Sequence, residues 1–167
     1  RLGSTPTRSK RELVATTLDD TLPIRSGDDD VRVRQAVRQR AVEAGLSLVD
    51  QTKIVTAASE LARNTLVYGH GGTLLLEAVL NDSRRGLRLT FEDRGPGIPD
   101  VTLALKDGYT TGSGLGLGLS GARRLSQEFQ ITSKVGGGTR VVIGRWKEPG
   151  WASVCTSRFF NSRASVA

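Results

Sequence analysis

Glycine occupies every second position from Gly112 to Gly118, directly before a segment with helical character. Alternate glycines weaken a strand, and each would cost about 1 kcal/mol relative to alanine inside a helix. The stretch is therefore predicted to be neither strand nor helix interior. Glycines before a helix start leave backbone N–H groups open to a bound phosphate, where the helix dipole adds positive potential. A flexible hinge without a ligand is the alternative, and glycine spacing alone does not decide between the two.

The remaining chain predicts helices first and strand hairpins afterwards. The predicted elements are an edge strand at 21–26, a helix from the cap Asp28 to Gly45, a helix after Asp50 to about Tyr68, strands at 72–80 and 86–93, a loop from 94 to about 114, a helix from near Leu115, and the two strands "EFQITSK" and "TRVVIGRWK". This order predicts the α+β class: a two-layer sandwich with helices on one face of a mostly antiparallel mixed sheet.

A chain of 167 residues suits one domain of ordinary size. We expect the folded domain over residues 20–147, with a flexible N-terminal arm at 1–19 and an irregular tail at 148–167. No apolar stretch is long enough to cross a bilayer, and the basic first residues lack the apolar core of a secretory signal. We therefore expect a cytoplasmic protein that does not bind a membrane.

The net charge of +7 raises the question of nucleic-acid binding. The basic residues are scattered over segments 32–40, 84–88 and 123–124, and no aromatic residues are interleaved with them as base-stacking platforms. Direct nucleic-acid binding is therefore not expected. A solvated basic surface is the ordinary explanation of such charge, and a docking surface for an acidic protein is the main competitor.

Asp93 follows a predicted strand in which Leu87, Leu89 and Phe91 face the core by period-2 alternation. Asp93 keeps that register, so its carboxylate is predicted to point inward, which is costly unless it is hydrogen-bonded. Such an acceptor suits an amine donor, for example the exocyclic amine of adenine, and Gly95 and Gly97 would let the backbone pass close to a flat ring. The alternative is that Asp93 caps the following turn.

Glu60 and Asn64 lie one turn apart on the second predicted helix, beside its apolar stripe. A carboxylate next to a carboxamide can activate a hydroxyl group and hold Mg²⁺ through oxygen. An exposed helical pair without a function is the alternative.

Taken in order, "SELARN", "EDRGPGIPD", "DGYTTGSGLGLGLSGARRL" and "GGGT" resemble the motifs of the GHKL ATPase/kinase superfamily, which has the Bergerat ATP-binding fold. The resemblance covers roughly residues 20–147. Within the superfamily these motifs look most like the RsbT-type serine/threonine switch kinases of bacterial stress signalling. The segments before Thr21 and after Lys147 have no counterpart in that family.

The resemblance implies ATP and Mg²⁺ as cofactors and assigns roles to individual residues. Asn64 would bind Mg²⁺, and Glu60 would be the general base. Asp93 would bind adenine, with Gly95 and Gly97 beside it and Thr139 supporting the same pocket. The lid hinge and phosphate loop would comprise Gly112, Gly114, Leu115, Gly116 and Gly118.

The implied function is phosphorylation of a STAS-domain antagonist or scaffold protein on serine or threonine, in a partner-switching stress or sigma-factor pathway. Once released, such a kinase would activate a PP2C-type phosphatase. Two alternatives stay open at this point: an anti-sigma factor that sequesters a sigma factor directly, and a non-catalytic binding module that uses nucleotide as a switch.

Overall fold

A computed structural model describes residues 15–81, 84–106 and 118–147. Its elements, in chain order, are β1 (Ala15–Ile24), α1 (Asp29–Glu43), α2 (Leu48–Val67), β2 (Gly72–Asn81), β3 (Arg84–Asp93), α3 (Val101–Ala104), α4 (Gly118–Leu125), β4 (Glu128–Lys134) and β5 (Gly138–Trp146). The predicted tail at 148–167 and residues 1–14 of the predicted arm lie outside the described residues.

The five strands form one sheet in the order β1-β2-β3-β5-β4, and each neighbouring pair is antiparallel. The predicted α+β class is confirmed, as are the β2–β3 and β4–β5 hairpins. β3 lies in the middle of the sheet, and its last residue, Asp93, pairs in register with Gly72 at the start of β2. The strand order therefore places Asp93 at the centre of one end of the sheet.

The helices pack on the sheet face that carries the apolar alternation of β2, β3 and β5. The core residues with at most 1% exposure include Leu74, Leu76, Leu87, Leu89, Phe91 and Ile143 from the sheet, and Val33, Val37, Ile54, Ala58 and Leu61 from the helices. Burial of this apolar surface is the main term that stabilises such a two-layer fold. The core joins α1 and α2 firmly to the central strands.

The second helix begins at Leu48, earlier than the predicted start after Asp50. Ser47 is the N-cap, and its Oγ accepts a hydrogen bond of 3.1 Å from the backbone N–H of Asp50. Asp50 is therefore the third residue after the cap, in the first turn of the helix, where the helix dipole stabilises a carboxylate. Ser47 and Asp50 both suit an N-cap, and the prediction that the helix starts after Asp50 is wrong.

The first strand begins at Ala15, so the predicted arm at 1–19 extends too far and the predicted strand at 21–26 starts too late. The register of β1 on β2 shifts between Thr16 and Asp19, which marks a bulge or irregularity. Asp19 and Asp20 are unfavourable strand residues, and pairing with β2 overrides that preference. Backbone pairing with β2 extends this strand, and the pattern of side chains in the sequence does not reveal such pairing.

The loop after β3 contains a short helix that was not predicted. Asp100 is its N-cap, and Asp100 Oδ1 accepts a hydrogen bond of 2.9 Å from the N–H of Leu103. With four residues it is too short to show an apolar period. Within the described part of the chain, no helix combines the length and hydropathy needed to span a bilayer.

Candidate functional site

Asp93 Oδ1 accepts two backbone hydrogen bonds, from Gly95 N at 2.9 Å and from Thr139 N at 3.1 Å. The first closes a local Asx turn, and the second ties the end of β3 to β5. Within the described residues, no hydrogen bond reaches the second carboxylate oxygen, Oδ2. Asp93 is half-buried. Its Oδ1 caps the turn, and its Oδ2 is left as an acceptor among the described residues, so the two predicted roles of Asp93 are compatible.

Glycines surround Asp93 because three backbone segments meet there. A Cβ at Gly69 would lie 2.5 Å from Asp93 Cγ, and a Cβ at Gly95 would lie 2.7 Å from the Cα of Gly69. Gly138 has φ +82°, and a Cβ there would come within 3.0 Å of the Asp93 carbonyl group. The end of α2, the turn after β3 and the start of β5 are thus packed backbone against backbone around one carboxylate.

The segment after Asp93 is fixed to the β4–β5 turn. Gly97 has φ +73°, and a Cβ there would overlap the carbonyl group of Lys134. Gly136 N donates to Pro96 O at 2.8 Å, and Ile98 N donates to Ser133 Oγ at 2.8 Å. The close approach at Gly97 is therefore an approach to protein backbone, which holds the turn in place beside Asp93.

Ser133 connects this turn to Thr139, one of the predicted pocket residues. Ser133 Oγ lies 2.8 Å from Thr139 Oγ1 and 3.2 Å from the carbonyl oxygen of Gly138. Because Ser133 already accepts from Ile98 N, its own proton is directed to Thr139 or Gly138. Sequence reasoning missed Ser133 and Gly69, although "YGHGG" and "SKVGGGT" flank the predicted motifs.

Glu60 and Asn64 are half-buried on α2, between its buried face and its exposed face. Within the described residues, neither side chain makes a hydrogen bond or an ion pair. The carbonyl oxygen of Asn64 accepts from Tyr68 N at 2.9 Å and from Gly69 N at 3.3 Å. The last turn of α2 therefore connects Asn64 to Gly69, the glycine that packs against the side chain of Asp93. Glu60 lies one further turn towards the helix start.

The glycine-rich stretch is described only at its end. Gly112, Gly114, Leu115 and Gly116 lie outside the described residues. Gly118 is the first residue of α4 and has φ +27°. α4 packs on α2, the helix that carries Glu60 and Asn64, and a Cβ at Gly118 would meet no heavy atom within 4 Å among the described residues.

Asp29 and Asp50, which lie away from this site, have lowered pKa values. Backbone N–H groups of Arg25 and Ser26 lower the pKa of Asp29 at the start of α1. Burial alone would raise the pKa of Asp50, but hydrogen bonds from Ser47 and Arg145 and the charge of Arg145 lower it overall. Asp50 lies at the start of α2 and Asp93 lies against its end, so Asp50 acts in the fold and not at the candidate site.

Comparison with known proteins identifies the family of this domain. Residues 49–150 match the model of the histidine kinase-, DNA gyrase B- and HSP90-like ATPases. The serine/threonine-protein kinase RsbT of Bacillus subtilis (strain 168) is 44% identical over 118 residues, which cover 71% of this chain and 89% of that protein. An anti-sigma F factor of Clostridium kluyveri is 29% identical over 103 residues, 58% of this chain and 71% of that protein.

A solved structure of the RsbU and RsbW domains of Rv1364c from Mycobacterium tuberculosis has the same fold, with a TM-score of 0.57 at 21% identity. The match covers 80% of this chain and 34% of that longer chain. The fold, the family model and the relatives agree with the resemblance found in the sequence. The chain belongs to the family of histidine kinase-, DNA gyrase B- and HSP90-like ATPases, the GHKL superfamily.

Proposed function

We propose that this protein is an ATP-dependent serine/threonine protein kinase that phosphorylates a STAS-domain protein in a bacterial partner-switching pathway. The observation that supports it best is the Oδ2 of Asp93, which accepts no hydrogen bond from the described residues and lies beside the end of the helix that carries Glu60 and Asn64. The relative named serine/threonine-protein kinase, 44% identical over most of its length, supports the same activity.

The adenine end of the proposed site is Asp93. Its Oδ1 is committed to Gly95 N and Thr139 N, so Oδ2 is the atom that would accept from the exocyclic amine of adenine. The backbone packing of Gly69 and Gly97 fixes the position of this acceptor before any ligand arrives. A fixed acceptor needs little reorganisation when the base binds, which favours affinity.

The phosphate end would lie along α2, towards Asn64 and α4. Within the described residues, no three carboxylate, imidazole or thiol groups cluster as a complete metal cage. Mg²⁺ does not require one, because it keeps several waters and binds through one or two protein oxygens plus the phosphates of its substrate. The carboxamide oxygen of Asn64, which makes no hydrogen bond within the described residues, fits that requirement. Bound there, Mg²⁺ would neutralise phosphate charge.

Glu60 would be the general base of the transfer. Its carboxylate would take the proton of a substrate serine or threonine hydroxyl while that oxygen attacks the γ-phosphorus of ATP. The bond from phosphorus to the β–γ bridging oxygen breaks, and ADP leaves with the bonding electrons. Most of the rate enhancement in such transfers comes from positioning and charge neutralisation, and a general base typically adds about 10²–10⁴ in rate.

The test compares phosphorylation by the wild-type protein, a Glu60→Ala variant and a Glu43→Gln control. Glu43 is a helical glutamate exposed on α1, where it pairs with Arg40, so the control removes one negative charge outside the site. Purified STAS-domain proteins encoded near the gene are incubated with ATP-Mg²⁺ and analysed by mass spectrometry. We expect phosphoserine or phosphothreonine with the wild type and control, and a loss of about 10²–10⁴ in rate with Glu60→Ala. ATP binding without any phosphorylation would refute the kinase proposal.

A second candidate function follows from the relatives named anti-sigma F factor, 29% identical over 103 residues. In that case the protein would bind a sigma factor directly, and nucleotide would control the complex. Pull-down of purified sigma factors with and without ATP separates the two functions. Activation of a PP2C-type phosphatase by the released kinase is the remaining part of the proposal, and phosphatase assays with added protein test it.

A further inference from the structure

Arg63 carries an exposed guanidinium group one residue before Asn64 on α2. Glu60 lies three positions before Arg63 on the same helix, which is the spacing of an i,i+3 ion pair. The pair does not form. Among the described residues, neither Arg63 nor Glu60 makes an ion pair or a side-chain hydrogen bond. Both charged groups can therefore bind a molecule that docks on this side of α2.

The arginines of α1 show what the same spacing gives elsewhere in this chain. Three of them form ion pairs with carboxylates three or four positions away on α1. The pairs are Arg32 with Asp29 at 3.8 Å, Arg34 with Asp30 at 3.2 Å, and Arg40 with Glu43 at 2.9 Å. Glu60 and Arg63 have the spacing and the chain order of the first of these pairs, but they stay apart. The unpaired arginine thus lies beside the proposed catalytic pair.

Helix α1 does not supply a partner for Arg63 either. Ser59 lies one turn before Arg63, on the same side of α2, and its Oγ donates to Asp30 Oδ1 on α1 at 2.8 Å. The other oxygen of Asp30 is paired with Arg34 at 3.2 Å. Both oxygens of the α1 carboxylate that contacts α2 on this side are therefore already engaged.

The position of Arg63 around the axis of α2 separates it from the proposed nucleotide side. At 3.6 residues per turn, Asn64 lies about 40° to one side of Glu60, and Arg63 lies about 60° to the other side. If Asn64 faces the phosphates and Glu60 takes the hydroxyl proton, the molecule that carries this hydroxyl approaches from the side of Arg63. Arg63 is therefore placed to contact the protein substrate and not ATP.

We propose that Arg63 is a specificity-determining residue for the protein substrate, and that it pairs with an acidic side chain close to the phosphorylated serine or threonine. This pair would hold the substrate hydroxyl at Glu60. The inference rests on the proposed function, because it takes Glu60 as the base and a protein as the substrate. The net charge of +7 favours an acidic partner as well. Val67, one turn beyond Arg63 and 51% exposed, would add apolar contact.

A residue that binds only the protein substrate changes one kinetic constant in particular. Its loss raises KM for the protein and leaves kcat and KM for ATP near their wild-type values. A contact with the phosphates of ATP would instead raise KM for ATP. A contact made only in the transition state would lower kcat. These three readouts separate the proposed role from the other two.

The test uses the STAS-domain protein, among those encoded near the gene, that the wild type phosphorylates. Arg63→Gln removes the charge, and because glutamine and arginine have similar helix propensities, α2 should stay intact. Arg63→Lys keeps the charge and tests rescue. Arg85→Gln is the matched control, because it removes the same charge from an exposed position at the opposite end of β3 from Asp93. In a charge swap, Arg63→Glu is combined with lysine at each acidic residue near the phosphorylated site of the STAS-domain protein.

With Arg63→Gln we expect KM for the STAS-domain protein to rise about tenfold, the effect of losing one close charge pair at a protein interface. Arg63→Lys should recover part of this loss, and Arg85→Gln should match the wild type. One of the lysine replacements should restore phosphorylation by Arg63→Glu.

Three results overturn this inference alone while the wild type still phosphorylates its substrate. They are an unchanged KM for the STAS-domain protein in Arg63→Gln, an equal rise of that KM in Arg85→Gln, and a rise in KM for ATP in its place. A wild type that binds ATP but phosphorylates no STAS-domain protein overturns the proposed function, and this inference with it.

Discussion

The carboxylate of Asp93 packs against the Cα of Gly69 so closely that a methyl group at residue 69 would lie 2.5 Å from Asp93 Cγ. Gly69 directly follows the last turn of α2 and donates its N–H to Asn64 O at 3.3 Å. The helix that carries the proposed catalytic pair and the strand that carries the proposed adenine acceptor therefore meet at this contact. The distance between the two halves of the site is set here.

Gly69→Ala should weaken both nucleotide binding and the fold. The added methyl group would also lie 2.6 Å from Thr65 O, so Asp93 and the helix end must both shift. Overpacking of this kind typically costs about 1–3 kcal/mol of stability. Gly27→Ala is the matched control, because a Cβ there meets nothing within 4 Å. Thermal unfolding and ATP titration check both variants, and equal ATP affinities would show that Asp93 tolerates displacement.

Asp93→Asn should abolish most ATP binding while leaving the fold intact. The amide oxygen can still accept from Gly95 N and Thr139 N, so the NH₂ group takes the place of Oδ2. A donor then faces the exocyclic amine of adenine, and a hydrogen bond to a charged group is typically worth about 1.5–3 kcal/mol. Calorimetry should show a loss of about tenfold or more. Glu92→Gln, an exposed neighbour paired with Arg140, is the control, and unchanged affinity in Asp93→Asn would leave Asp93 as a turn cap alone.

The sequence predicted the fold class and the position of Asp93 at the inner end of β3, because both depend on local periodicity. Leu87, Leu89 and Phe91 alternate with polar residues, and extending that alternation places Asp93 on the inner face. The same argument identified both hairpins. The roles of Asp93, Glu60 and Asn64 in binding and catalysis remain predictions, which the proposed experiments address.

The rest of the site and of the fold depends on contacts between distant segments, which the pattern of a single segment does not contain. Ser133 is 35 residues from the Ile98 N–H that it accepts, and Arg145 is 95 residues from Asp50. The start of α2 was misplaced because Ser47 and Asp50 both suit a cap. The predicted phosphate loop at Gly112, Gly114, Leu115 and Gly116 lies outside the described residues and stays a prediction.

Ser133→Ala should loosen the turn after β3. The Ile98 N–H loses its acceptor and Thr139 Oγ1 loses its partner at 2.8 Å. Because the site is partly open to water, we expect a cost near the lower end of the range for an unsatisfied donor, about 1 kcal/mol. Faster hydrogen exchange at Ile98 and weaker ATP binding are the expected results. Thr132→Ala, an exposed change on the same strand, should do neither, and equal exchange at Ile98 in both variants would contradict the role of Ser133.

Stability should fall on acidification, in part through Asp50. Hydrogen bonds from Ser47 and Arg145 outweigh the opposing effect of burial and lower its pKa in the folded state, whereas the unfolded chain keeps an ordinary value of about 4. A lowered folded pKa gives stability that is fully present above the unfolded pKa and is lost as the pH falls through the folded pKa. Urea unfolding between pH 7 and pH 2 should therefore show a loss of stability that begins below about pH 5.

Asp50→Asn should be less stable than the wild type at pH 7, and the difference should shrink as the pH falls. Asp28→Asn, an exposed change at a residue whose side chain makes no capping hydrogen bond, is the control. A constant difference between wild type and Asp50→Asn across this range would show that the charge of Asp50 contributes nothing to folding.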